Sequence, residues 1–245
     1  MVLSIQRLTL GLISLSALFL FAWPLTFPGL GLDQQQSAGW LAMAVVPVLL
    51  VLSLLLIQGR IAGPRQLALL AILASLAAAT RIATSGVGGF ELIFVIVILG
   101  AAAVSPSFGF LLGAISVLVS SLFFGGFGPW TAFQVFAVGW VGLGAGFLHK
   151  ATGAKRVWPL AVYSFFASLI FGLIMNLWFW PFAAGPTTSL SYDPQAGLGQ
   201  NLVSFLSYSL VSSTLTWDTI RAISTTVGIL LVGKPVLATL ARYKF

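Results

Sequence analysis

The apolar runs of this chain decide what it can fold into. Hydropathy and Gly/Pro punctuation mark eight of them, near 8–24, 39–58, 66–83, 90–104, 107–124, 131–148, 157–182 and within 200–233. A helix needs about 20 apolar residues to cross roughly 30 Å of hydrocarbon, and most of the runs are of that order. Only 6% of the residues are charged, against about a quarter in a soluble domain. So few charges cannot clothe a water-facing surface. The reading is an all-α integral membrane protein with about eight transmembrane helices and no soluble domain. The first run follows Arg7 as in a signal peptide, but Trp23-Pro24-Leu25-Thr26-Phe27 is too bulky for a cleavage site, so it is read as a retained span.

Charge sets the expected orientation. With the N-terminus inside, the inner segments hold Arg7, Arg60, Arg65, Lys150, Lys155, Arg156, Lys234, Arg242 and Lys244, and the outer ones only Arg81 with Asp33 and Asp193. This bias places both termini of a multi-pass cell-membrane protein in the cytoplasm. The net charge of +7 is then a matter of anionic lipid, and no nucleic-acid partner is expected. The last run is ambiguous. As one helix, Asn201 to Val232 would be about 48 Å long, too long for one straight span. An interfacial segment near 200–212 is expected instead, with a break at Ser212-Ser213-Thr214 and a span at 214–233.

This topology gathers the intramembrane polar residues on one side. Arg81 ends the third span and Glu91 begins the fourth; Trp130 and Gln134 open the sixth. Asn176, Trp178 and Trp180 lie toward the outer end of the seventh, and Asp218 and Arg221 near that of the last. A charge in the bilayer costs on the order of 3 kcal/mol on insertion scales, so such residues need partners or water. Asp218 and Arg221, three apart, share a helix face, and Glu91 and Arg81 are expected to pair across a short loop. The grouping suggests an outward-open pocket. Trp130, approached through Gly128-Pro129, is its stacking wall, with Gln134 one turn on. Trp23, Trp40 and Trp158 are read as interfacial belt residues.

The third span is alanine-rich. Ala71, Ser75 and Ala79 form one small-residue ridge and Ala74 with Ala78 a second, which suit close helix packing or a partner membrane protein. Gly139, Gly142, Gly144 and Gly146 lie within a span, so a dinucleotide-binding reading fails. His149, the single histidine, reads as a helix-end residue. There is no cysteine, no metal constellation, and no hydrolase, P-loop or paired-carboxylate motif. No cofactor and no enzymatic activity are expected.

Three features together resemble the substrate-binding S component of energy-coupling factor (ECF) transporters: the alanine-rich span at 66–80, the block GGFGPWTAFQVFAVGWVGLGAG at 125–146, and Thr216-Trp217-Asp218-Thr219-Ile220-Arg221-Ala222. The resemblance covers roughly residues 64–243. It implies a six-helix module that captures a vitamin or related micronutrient from outside, then topples in the membrane to release it inward. Its partners would be a transmembrane coupling (T) subunit and two ATP-hydrolysing subunits. The family's alanine motif, which meets the coupling subunit, corresponds to Ala71, Ala74, Ser75, Ala78 and Ala79. Its gating loops correspond to 84–89, 124–130 and 183–198. Substrate contacts would come from Arg81, Glu91, Trp130, Gln134, Asn176, Trp178, Asp218 and Arg221. The aromatic-rich make-up is most similar to members that take up cobalamin or a precursor. The chain departs from the family in two helices preceding the core, which divides it into 1–62 and 63–245. Two other classes compete: an intramembrane enzyme acting on lipid or isoprenoid, for which only Asp218 and Glu91 offer acid–base groups, and a membrane scaffold.

Overall fold

The computed structural model describes residues 2–26, 32–58, 63–148, 157–184 and 188–242. Arg60, Lys150, Lys155, Arg156 and Lys244, which carry much of the expected orientation, lie outside the described residues, as do His149 and the side chain of Arg7. Every regular element among the described residues is a helix. In order these are α1 (Val2–Phe21), α2 (Trp23–Thr26), α3 (Leu32–Gln58), α4 (Gly63–Ala83), α5 (Ile93–Ala103), α6 (Pro106–Ser121), α7 (Pro129–Phe147), α8 (Val157–Ala183), α9 (Leu198–Ser209), a π-helical segment (Leu210–Asp218) and α10 (Thr219–Leu240).

The apolar helices make this a membrane-embedded protein, but the count of about eight spans is corrected. Among the described residues four helices are long and apolar enough to cross a bilayer: Gly63–Ala83, Pro129–Phe147, Val157–Ala183 and Leu198–Leu240. The apolar stretches Leu8–Phe21, Gly39–Leu55, Ile93–Ala103 and Pro106–Ser121 are shorter. At 1.5 Å per residue α5 is about 17 Å long and α6 about 24 Å. Neither matches roughly 30 Å of hydrocarbon. Almost all of α5 is buried, and a helix wrapped in protein need not match the thickness of the lipid.

The expected break at Ser212-Ser213-Thr214 is likewise corrected. Leu198–Leu240 is one continuous helical stretch of 43 residues, widened into a π-helix at Leu210–Asp218. Ser212 donates its hydroxyl to the Tyr208 carbonyl at 2.7 Å, and the Ser209 and Thr214 hydroxyls lie 3.3 Å apart. Hydroxyls bonded back to the preceding turn distort a helix without ending it.

The chain forms two compact units, one of Met1–Leu56 with Gly172–Leu215 and one of Ile57–Phe171 with Thr216–Phe245. Residues 172–215 thus join the N-terminal helices. In the second unit α6 and α7 run antiparallel with their backbones touching. Gly109 meets Gly142, Gly113 meets the carbonyl of Val138, and Gly146 meets Pro106; a Cβ at any of these would strike main chain. Of the glycines that the sequence places within this span, Gly142 and Gly146 form the α7 side of the seam, because small residues let helices approach closely where lipid supplies no hydrophobic drive. Both helices start on proline. Ser105 caps α6 by accepting from the Phe108 N–H, and the Gly128 N–H ahead of α7 donates to Thr131 Oγ1.

In the first unit, aromatic rings form the centre. Trp180 is fully buried and donates its indole N–H to the Leu190 carbonyl at 2.7 Å. Trp23 is buried too and donates to the carbonyl of Trp178 at 3.1 Å. This corrects its reading as a belt residue, a description that fits the exposure of Trp40 and Trp158.

Candidate functional site

Six of the eight residues read as substrate contacts belong to the second unit, and five of them fall in two bonded groups, Arg81 with Gln134 and Arg221 with Asp218 and Glu91. Arg221 lies at the first turn of α10, beneath the π-helical segment, with Asp218 three residues before it. Asp218 Oδ1 accepts from Arg221 at 2.7 Å, the expected pair. The other terminal nitrogen of Arg221 meets Glu91 at 3.2 Å. Glu91 was expected to pair with Arg81. It bonds instead to Arg221, because α5 runs parallel to α10 and its leading end arrives beside that arginine.

The loop between α4 and α5 fixes this approach. Gly89 has φ +83° and lies on the backbone of Trp217, where a Cβ would collide with the carbonyl. Only glycine supplies both the left-handed conformation and the clearance. Glu91, two residues later, is thereby held against Arg221 while staying about one-third exposed. Asp218 and Arg221 are almost wholly buried.

Arg81, in the last turn of α4, reaches sideways to two other helices. It donates to Ser120 Oγ of α6 at 2.8 Å and to Gln134 Oε1 of α7 at 3.0 Å. Glu91 is also near enough to act on it electrostatically. Two arginines and two carboxylates therefore balance to zero, as partly desolvated charges require. The guanidinium of Arg221 also stands over Phe171 and Phe94, 4.9 and 5.8 Å from their ring centroids. Aromatic faces of this kind help to hold a cation away from water.

Trp130 is half-exposed in the first turn of α7, its indole lying over Gly128. Gln134 follows one turn later on the same face. Its carbonyl oxygen is taken by Arg81, and among the described residues its NH2 makes no hydrogen bond. Asn176 and Trp178 belong to the first unit. Asn176 donates to Ser209 Oγ at 2.9 Å, and Trp178 is buried beside Phe179. An apolar groove of about 520 Å³ in that unit, lined by residues such as Leu15, Phe19, Val45 and Leu49, contains none of the eight.

The alanine ridges divide by burial. Ala74 and Ala78 are packed inside the protein, whereas Ala71, Ser75 and Ala79 are exposed. Only the second set is open to another molecule.

Sequence reasoning missed Ser120, Phe94, Phe171 and Thr225. The first three are ordinary residues in apolar runs and become visible only through their partners. Thr225, fully buried one turn after Arg221, was legible from the i, i+4 spacing. Among the described residues no three His, Cys, Asp or Glu side chains gather as metal ligands. The geometry suits recognition by stacking and hydrogen bonding. In comparisons with protein-family models, curated proteins and solved structures, none matches the chain.

Proposed function

We propose that this chain is the substrate-capturing membrane subunit of an ECF-type importer for a vitamin or related micronutrient. The observation that carries the reading is two bonded groups in the second unit, Arg81 with Gln134 and Arg221 with Glu91 and Asp218, with Glu91 acting on Arg81 through its charge. Five polar groups drawn from α4, the loop before α5, α7, the π-helical segment and α10, with a half-exposed indole nearby, are more than helix packing needs. In this reading both termini face the cytoplasm and the cluster opens outward. Trp130 stacks on the substrate, the free NH2 of Gln134 donates to it, and the glycine-rich loops at 84–89 and 124–130 close over it. The exposed ridge of Ala71, Ser75 and Ala79 is the surface offered to a coupling subunit, which in turn works with two ATP-hydrolysing subunits. Among the described residues the second unit holds α4 to α7, α8 as far as Phe171, and α10, six helical stretches, the number that the resemblance implies for a core.

Two measurements test this. In a thermal-shift screen of the purified protein against B-type vitamins, one compound should raise the melting temperature, and Trp130→Ala should abolish that rise. Ala71→Trp with Ala79→Trp should remove copurifying coupling and ATPase subunits while leaving the ligand shift intact. A protein that neither responds to any micronutrient nor copurifies with an ATPase is not such a subunit.

A further inference from the structure

The register between α8 and α10 is set by three contacts within the second unit. Val157 faces Gly233, Ser164 Oγ lies 3.2 Å from Thr226 Oγ1, and Phe171 stacks under Arg221. Position numbers fall on one helix as they rise on the other, so the pair is antiparallel. Ser168 lies between Ser164 and Phe171 on the same face of α8. The register therefore brings it level with Ala222 and Thr225.

Three buried polar atoms fall near this level with no hydrogen-bond partner among the described residues: Ser168 Oγ, Thr225 Oγ1 and Arg221 Nε. Ser168 and Thr225 are fully buried and Arg221 nearly so. Phe94 and Phe171, edge to face at 5.0 Å, wall off the same place. Native proteins rarely leave such groups unsatisfied. Three at one level of a single helix seam point to a bound species.

We propose that the α8–α10 seam is a buried water site with Arg221 Nε, Thr225 Oγ1 and Ser168 Oγ as its ligands. The chemistry selects water. The adjacent guanidinium repels a cation, and the carboxylates of Asp218 and Glu91 repel an anion. The Nε–H can only donate, whereas a hydroxyl does either. A water molecule accepts from Nε and donates to the two hydroxyls, within the two to four bonds that buried waters make. It completes the hydrogen bonding of Arg221 and continues the bonded group of Arg221 into the Thr226–Ser164 hydroxyl pair. The site is independent of the transport reading.

The test uses the full-length protein in detergent with Thr225→Val, Ser168→Ala, both together, and Thr225→Ser. Each of the first two should lower the melting temperature. The double variant should fall no further than the worse single one, since one water is lost in every case, and Thr225→Ser should stay near wild type. X-ray hydroxyl-radical footprinting reads the water directly, because radicals form where water is trapped. Phe94 should be labelled several-fold faster than Phe136, which is equally shut from bulk solvent, and Thr225→Val should remove the excess. The site does not exist if Phe94 labels no faster than Phe136, or if Thr225→Val raises the melting temperature, as filling a dry orphan site would. Additive losses in the double variant also overturn it.

Discussion

In the second unit, Arg221 reaches Asp218 on its own helix and Glu91, 130 residues away, and each of those partners is a side chain. In the first unit, Trp23 and Trp180 are also buried and hydrogen-bonded over long and short separations, yet both acceptors are backbone carbonyls, of Trp178 and Leu190. Any residue supplies a carbonyl at a given place, whereas only an acid supplies a carboxylate. The charged cluster therefore depends on particular residues at fixed positions. The aromatic cluster depends on ring volume and on a backbone course that many sequences would follow. Side-chain specificity is concentrated where charge has to be kept out of water.

The sharpest way to break this contrast is to remove one acid. Asp218→Leu leaves the buried Arg221 with only the part-exposed Glu91. Stripping a partner from a buried ion pair costs about 3–5 kcal/mol, whereas replacing both partners by apolar residues is often close to neutral. Asp218→Leu alone should thus depress the denaturation midpoint strongly, and Asp218→Leu with Arg221→Leu should recover most of the loss. If the double variant is as unstable as the single one, the cluster is ordinary packing and the contrast fails.

A smaller effect is expected where the first unit does use a side chain. Asn201 is buried; its Oδ1 accepts from the Asp193 N–H at 3.1 Å and its Nδ2 donates to the Asp193 carbonyl at 2.8 Å. Asn201→Ala leaves the Asp193 N–H without its partner, while the Asp193 carbonyl keeps the Ala196 N–H at 3.1 Å. Asp193 is exposed, so water can take over and the loss is about 0.5–1.5 kcal/mol. Hydrogen exchange at the Asp193 amide should accelerate, while exchange in α10 should not change. Leu190→Ala, which keeps its carbonyl, should leave the Trp180 contact in place.

Local patterns carried much of this into the sequence. Gly/Pro punctuation marked the starts of α6 and α7 near Pro106 and Pro129, because it acts within a turn. The Asp218–Arg221 pair was legible for the same reason, being three residues apart. The partners of Glu91 and Arg81 were not. They depend on α5 lying parallel to α10 and on α4 reaching both α6 and α7, which no local spacing records. Trp23 misled because an indole in an interfacial belt and one in a packed core have the same chemistry. The span count failed because apolar runs reveal exclusion from water without distinguishing lipid from surrounding protein, and α5 is excluded by protein. At Ser212 the polar residues looked like a break because the bond from a serine hydroxyl back to its own helix is invisible in composition.

The smallest expected effect separates the two clusters by pH. Tyr192, in the loop after α8, packs against Trp180 and Trp23 at 5.2 and 6.3 Å, its hydroxyl buried without a hydrogen-bond partner among the described residues. Burial, and then the neighbouring negative charge of Asp193, push its phenol up to about 12 from the usual 10. The sign follows from linkage. Below pH 10 the phenol is protonated whether the chain is folded or unfolded, so stability does not depend on it. Between about 10 and 12 the unfolded chain releases the proton and the folded one retains it, so stability falls as pH rises. Tyr192→Phe should flatten that part of the decline, measured as the denaturation midpoint at pH 9 and pH 11.5. At neutral pH it should cost almost nothing, since the hydroxyl it removes has no partner among the described residues. Asp193→Asn should narrow the decline without abolishing it, because burial is the larger cause. If Tyr192→Phe instead destabilises the protein at pH 7, its hydroxyl has a partner, and the first unit relies on side-chain hydrogen bonds as the second does.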